Sequence, residues 1–188
     1  MGSMYKKHNI GLGIFLFLLL CVQFLNAATL FVTNTNDAGA GSFRAILASA
    51  NNGDIIKFNI PGPGPYTIQP LTAYSVSRQV TIDGLVAGKP WVEFNGALST
   101  SIAGFDFNSA MGSGTIIQGL VLNNFSYNPN PMVDFNACAI SITQASNVTV
   151  KMCYIGTDVT GVTARPNKHG IWINISMCKI CFAHWAGP

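Results

Sequence analysis

The sequence predicts an all-β fold, a right-handed parallel β-helix (a solenoid) opened by a short N-terminal capping helix. Three observations lead there. First, TIDGLV (Thr81 to Val86), IIQGLV (Ile116 to Val121) and TVKMCY (Thr149 to Tyr154) are spaced copies of one pattern, offset by 35 and then 33 residues. Second, FDF (Phe105 to Phe107), ISI (Ile140 to Ile142) and IWI (Ile171 to Ile173) recur at offsets of 35 and then 31. Third, the segments between copies are rich in Gly, Asn, Ser and Pro, with D-G and N-G pairs at strand ends (Asp83–Gly84, Asn95–Gly96). A unit of two or three short strands cannot bury its own apolar face and has to stack on a neighbour. A β-sandwich would ask for hairpin signals about every 8 to 12 residues instead. Stacking predicts two interior columns, Ile82, Ile117 and Val150 in one, Phe107, Ile142 and Ile173 in the other. At about 4.8 Å per layer, four or five coils make a rod about 20–25 Å long.

Lys6 and Lys7 precede an apolar run over residues 10–22, and LNAA comes after it. That is a charged, then apolar, then small-residue leader, expected over residues 1–27 with a cut near Ala27 or Ala28. The run is short for a membrane span, which takes about 20 apolar residues. Residues 28–79 form the expected capping region and first coil. Within it, Thr29 to Asp37 alternates as a strand. Ser42 can cap a short helix whose Phe43, Ile46 and Leu47 share one face, and Asn51 to Gly53 stop it. Such a helix, about two turns long, is stable only when packed, and it suits the open end of a strand stack. Asp54 to Ile60 and Tyr66 to Leu71 read as further strands, with Pro61 to Pro65 a turn between them. Residues 80–182 carry the repeats, with Tyr127 to Phe135 and Thr157 to His169 as the longest loops. Residues 183–188 are a divergent tail without an obvious cap, so the last strand is expected to belong to a fragment or to pair end to end with another molecule.

Composition narrows the partners. With Lys6 and Lys7 in the leader, eight basic residues face seven acidic ones, a formal charge of +1. No basic stripe exists, which argues against nucleic acid. Only 9% of residues are charged, so Asn, Ser, Thr and Gly must cover the surface. Cys138 and Cys153 sit in consecutive strands and are expected to stack as small hydrophobes. Cys178 and Cys181 form a C-x-x-C, only one half of a four-ligand zinc set. Phe182 stands where haem attachment would require His, so neither metal nor cofactor is expected.

The segment FVTNTNDAGAGSFRAILASANNGDIIKFNI resembles the opening of secreted bacterial right-handed β-helix repeat proteins of the pectate-lyase-like superfamily. Asn36, Asp37, Gly39, Gly41, Ser42, Arg44, Ile46, Ala50, Asn51, Asp54, Ile56 and Phe58 carry the resemblance, with Phe43 in place of the usual Leu. CYIGTDVTGVTARPNKHGIWI (Cys153 to Ile173) resembles the I-G-T-D-x-x-G-x-x-x-x-P-N-x-x-G-I-x-I repeat of the same group. The resemblance spans residues 29 to 182. It implies the fold and a secreted or surface-displayed protein. It leaves the activity open, since the group holds surface proteins, adhesins and polysaccharide-active enzymes.

The acidic residues do not assemble a catalytic pair. Lyase chemistry needs a cation or Arg to neutralise a uronate beside a base, and hydrolysis needs two carboxyls at a set separation. Here Asp37, Asp54, Asp83, Glu93, Asp106, Asp134 and Asp158 stand singly, so no catalytic residue is assigned. Asp83 and Asp106 are expected at analogous strand positions. The candidate binding face is the column Asp83, Gln118 and Lys151, with an outward Trp172 as an aromatic platform for a polysaccharide or cell-surface glycan. Asp158, Asn167 and His169 are expected to order their loop, Arg44 to tie the helix to the first coil, and Asp37 to form a turn. A flat Thr row of an ice-binding kind would need more than Thr81, Thr115 and Thr149. The leading expectation is a secreted or surface-displayed, non-catalytic scaffold for adhesion or glycan contact. The alternative is an N-terminal fragment of a polysaccharide lyase or glycoside hydrolase.

Overall fold

The computed structural model describes residues 27–127, 137–174 and 181–182. Outside them fall the expected leader (all but its last residue), Asp134, Phe135, Cys178 and the tail 183–188. Among the described residues the protein is all-β, with three parallel sheets, one antiparallel hairpin and a single α-helix. No helix among them is long and apolar enough to cross a membrane.

The first sheet has six strands: β1 (Thr29–Val32), β2 (Ile55–Phe58), β5 (Thr81–Asp83), β10 (Ile116–Gln118), β13 (Thr149–Lys151) and β16 (Cys181–Phe182). The second pairs β3 (Tyr66–Ile68), β8 (Val92–Asn95), β11 (Leu120–Asn123) and β14 (Tyr154–Ile155). The third pairs β4 (Tyr74–Ser75), β9 (Ala103–Phe107), β12 (Cys138–Ile142) and β15 (His169–Ile173). From β2 onward the chain visits the three sheets in one fixed rotation, and strands of one sheet pair with their counterparts one rotation earlier and later. β2, which precedes residues 79 and 80, pairs directly with β5, which follows them.

Register follows from burial. Shifting a strand by one residue would turn its apolar side chains to solvent. Ile56, Ile82, Ile117 and Val150 therefore stand opposite one another in the first sheet, and Phe107, Ile142 and Ile173 do so in the third. Both expected interior columns are present. Ile68, Phe94, Leu122 and Ile155 supply the matching column of the second sheet. Together these side chains make one continuous apolar core.

Two bends shape the passage from the first sheet to the second. Gly119 (φ 66°) and Met152 (φ 53°) take the left-handed conformation immediately after β10 and β13. The first repeat departs from the other two here. Leu85–Val86 (β6) does not continue into the second sheet but pairs antiparallel with Lys89–Pro90 (β7). Ala87 (φ 50°) and Gly88 (φ 77°) form the two-residue turn, the left-handed pair that a tight hairpin requires. The second sheet resumes only at β8, so the TIDGLV copy matches its relatives in the first sheet alone.

The helix α1 spans Phe43–Ser49, and the Ser42 hydroxyl accepts from the Ala45 N–H at 3.2 Å. A helix this short has no stability of its own. Its stability comes from Phe43, fully buried among the rings of Tyr74 (4.8 Å), Phe94 (5.0 Å), Phe105 (5.7 Å) and Phe58 (5.9 Å). Arg44 lies over the Tyr74 ring and donates to the Thr72 and Ala73 carbonyls, as expected of a tie between helix and strands. Asp37 is not a simple turn former. Its carboxylate accepts from Arg44 at 2.7 Å and from the Leu71 N–H at 3.2 Å, so it joins the helix to the segment after β3.

Candidate functional site

Three outward ladders are available, one per sheet. On the first sheet Lys57, Asp83, Gln118 and Lys151 stand opposite one another on consecutive strands. The expected column Asp83, Gln118, Lys151 is thus assembled, and Lys57 extends it. Asp83 is already engaged: Lys57 Nζ lies 3.6 Å from Oδ2, and Oδ1 accepts from the Leu85 N–H at 3.2 Å. The neighbouring outward column runs Thr29, Ile55, Thr81, Ile116, Thr149. Thr115 is not part of it. That side chain is fully buried and donates to the Arg78 carbonyl, so no row of threonines forms.

Trp172 does not join this column. It lies on the third sheet, in register with Ser141, which in turn faces Asp106, which faces Ser75. Asp106 and Asp83 are therefore not analogous, because they stand on different sheets. Ile171 and Ile173 pack on the core, and Trp172 between them does not; strand alternation sends it outward. The carboxylate of Asp106 accepts from Asn108 Nδ2 at 2.9 Å and from Ser141, and Ser75 Oγ reaches Asn108 Oδ1 at 3.4 Å. Partial burial raises the Asp106 pKa, and the Ser141 and Asn108 hydrogen bonds offset only part of that effect. No lysine or arginine occupies this ladder, so the carboxylate has only neutral partners along it.

The second sheet carries a ladder that sequence reasoning missed: Thr67, Glu93, Val121 and Tyr154. Glu93 is only 4% exposed. Oε2 accepts from Thr67 Oγ1 at 2.7 Å, while Oε1 accepts from Asn123 Nδ2 at 2.7 Å and from Arg165 Nη1 at 3.0 Å. Arg165 belongs to the loop between β14 and β15, 72 residues downstream. That loop is ordered from within. Asp158 Oδ1 accepts from Thr160 Oγ1 (2.6 Å), the Thr160 N–H (3.0 Å) and the Thr163 N–H (3.3 Å). These bonds, chiefly that from the Thr160 hydroxyl, lower the Asp158 pKa to about 2. Asn167 ties the loop down by accepting from the Phe125 N–H and donating to the Leu122 carbonyl. Asp158 and Asn167 thus order the loop, as expected. No spacing in the sequence links Glu93 to Arg165; only the stacking of strands brings them together.

The thiols of Cys138 and Cys153 are inert. They do not stack on each other, since Cys138 lies in the third sheet opposite Ala103 and His169, whereas Cys153 comes after β13 of the first. Burial pushes the Cys138 thiol up to about 12, helped by the Asp106 charge, and the Cys153 thiol up to about 11. Neither supplies a thiolate near neutral pH. Among the described residues no three His, Cys, Asp or Glu side chains converge as a metal set.

The remaining acid, Asp54, is buried and accepts from the Ala28 and Asn51 N–H groups, both at 2.8 Å. Each of the six described carboxylates, Asp37, Asp54, Asp83, Glu93, Asp106 and Asp158, therefore accepts hydrogen bonds that hold local structure. Comparison of the chain with protein-family models, with curated proteins and with solved structures returns no match.

Proposed function

We propose that this chain is a right-handed parallel β-helix of the secreted, pectate-lyase-like kind, displayed outside the cell as a scaffold that contacts glycans and carries no catalytic centre of its own. The fixed rotation of strands through three parallel sheets supports the β-helix reading, with α1 and Phe43 covering its first layer. The observation that carries the functional reading is the engagement of every described carboxylate. A general base or nucleophile works beside a second catalytic group at the reacting atom, and here the described acids stand on separate strands and loops, each held by a backbone N–H, a hydroxyl, an amide or a cation. What remains on the surface is a set of polar ladders spaced by one strand, suited to touching a chain of sugar rings rather than cleaving it.

The experiment is incubation of the protein with polygalacturonate and with neutral polysaccharides, with and without calcium, following unsaturated product and reducing ends. The scaffold reading expects neither. Release of unsaturated product would favour the second reading, a fragment of a polysaccharide lyase. Retention on an immobilised polysaccharide, without turnover, is the positive result.

A further inference from the structure

We propose that the glycan contact lies on the outward ladder of the third sheet, and that its ligand is a neutral polysaccharide with equatorial hydroxyls, not a polyuronate. This rests on the scaffold reading above and assigns it a face and a ligand class.

Successive strands place Trp172, Ser141, Asp106 and Ser75 in one line across the third sheet, with Asn108 bridging Ser75 to Asp106. Strand spacing is about 4.8 Å, close to the length of one pyranose ring in an extended β-linked chain. A glycan lying across the strands would thus meet one ladder position per sugar. At one end Trp172, half-buried, lies outside the core with its ring 5.8 Å from that of His169, and the part of the indole left to solvent is an apolar face. Axial C–H groups of a sugar with equatorial hydroxyls form such an apolar face, and an indole is the side chain best suited to cover it. Two strands further on Asp106 with its neighbour Asn108, and one strand beyond them Ser75, supply the acceptors and donors that hydroxyls need. A carboxylate accepts strong hydrogen bonds from sugar hydroxyls.

Charge decides between ligand classes. A uronate would bring its own carboxylate towards Asp106, where the ladder holds no cation, and like charges in a partly desolvated place repel. The first sheet is different, because Lys151 lies on its outer ladder. A polyuronate would therefore choose the first sheet, and a neutral chain the third. On the second sheet the ladder's carboxylate, Glu93, is buried and already paired with Arg165.

Isothermal titration calorimetry of the whole chain with cellohexaose and with hexagalacturonate separates these outcomes. The proposal expects cellohexaose to bind. Trp172→Ala should weaken it about tenfold or more, the loss of one stacked ring. Trp172→Phe should restore most of the affinity, and Asp106→Ala should weaken binding without altering the far-UV spectrum. Lys151→Gln should leave it unchanged. Cellohexaose binding that Trp172→Ala and Asp106→Ala do not alter overturns the assignment. Binding of hexagalacturonate alone, lost in Lys151→Gln, also overturns it but leaves the scaffold reading standing. Binding of neither sugar overturns both.

Discussion

Glu93 and Asp106 are both carboxylates at the middle of an outward ladder, on neighbouring sheets of one stack, and their surroundings differ in every respect that matters. Glu93 is 4% exposed and holds a cation, an amide and a hydroxyl. Asp106 is half-buried and holds one amide and one hydroxyl, with no cation. The difference lies in the loops that leave each sheet. After β14 a loop returns over the second sheet and lays Arg165 on Glu93. Over the described part of the third sheet nothing comparable returns, and an indole stands at its edge. Outward carboxylates on two different sheets are thus turned to opposite uses, one to fasten a loop and one to hold a half-buried polar ladder.

The largest perturbation strikes both faces at their common foundation. Both rest on the core that Phe43 completes, so Phe43→Ala should cost about 3–5 kcal/mol, as for other buried aromatics. Chemical denaturation should show both faces lost in one transition. Next, Glu93→Ala should cost about 2–3 kcal/mol, the range for removing hydrogen bonds to a buried charged group. The variant should also become open to proteolysis between Asp158 and Arg165. Asp158→Asn probes the same loop by pH. The folded pKa of Asp158 lies at about 2, below its ordinary 3.8. Its contribution is therefore present above pH 3.8 and is lost as pH falls towards 2. Melting temperatures of the native and variant proteins should differ at about pH 5 and converge near pH 2.

The smallest effect belongs to Asp106. Its folded pKa is raised, so its ionisation opposes folding: stability is greatest below the unfolded carboxylate pKa and falls as pH rises through the folded one. Asp106→Asn should shift stability at neutral pH by no more than about 0.5 kcal/mol. Relative to the native protein, the variant should gain as pH rises across the carboxylate range. A loss as large as that of Glu93→Ala would erase the distinction between the two faces.

How legible this was in the sequence depended on the distance over which each contact acts. The columns through Ile82, Ile117 and Val150, and through Phe107, Ile142 and Ile173, were readable because alternation and spacing are properties of a single chain. The earliest members, Leu30 and Ile56, escaped alignment. Their strands are spaced 26 residues apart (Thr29 to Ile55, Ile55 to Thr81) rather than 31 to 35. The hairpin at Ala87–Gly88 was hidden because Leu85–Val86 carries the same letters as Leu120–Val121 while its continuation differs. Ser42 and Arg44 were readable as cap and tie because their partners are local or implied by the motif. Arg165 was not, since its pairing with Glu93 exists only after three sheets have stacked. Trp172 was readable as outward, but the sheet it shares with Asp106 followed only from register.

The most direct test of the account is a titration of the isotopically labelled protein with cellohexaose, monitored residue by residue in amide and indole NMR spectra. Shifts should concentrate at Ser75, Asp106, Ser141 and the Trp172 indole, with Thr67, Glu93 and Lys151 unmoved. Shifts centred on the ladder of the first or second sheet, or none at saturating sugar, would contradict it.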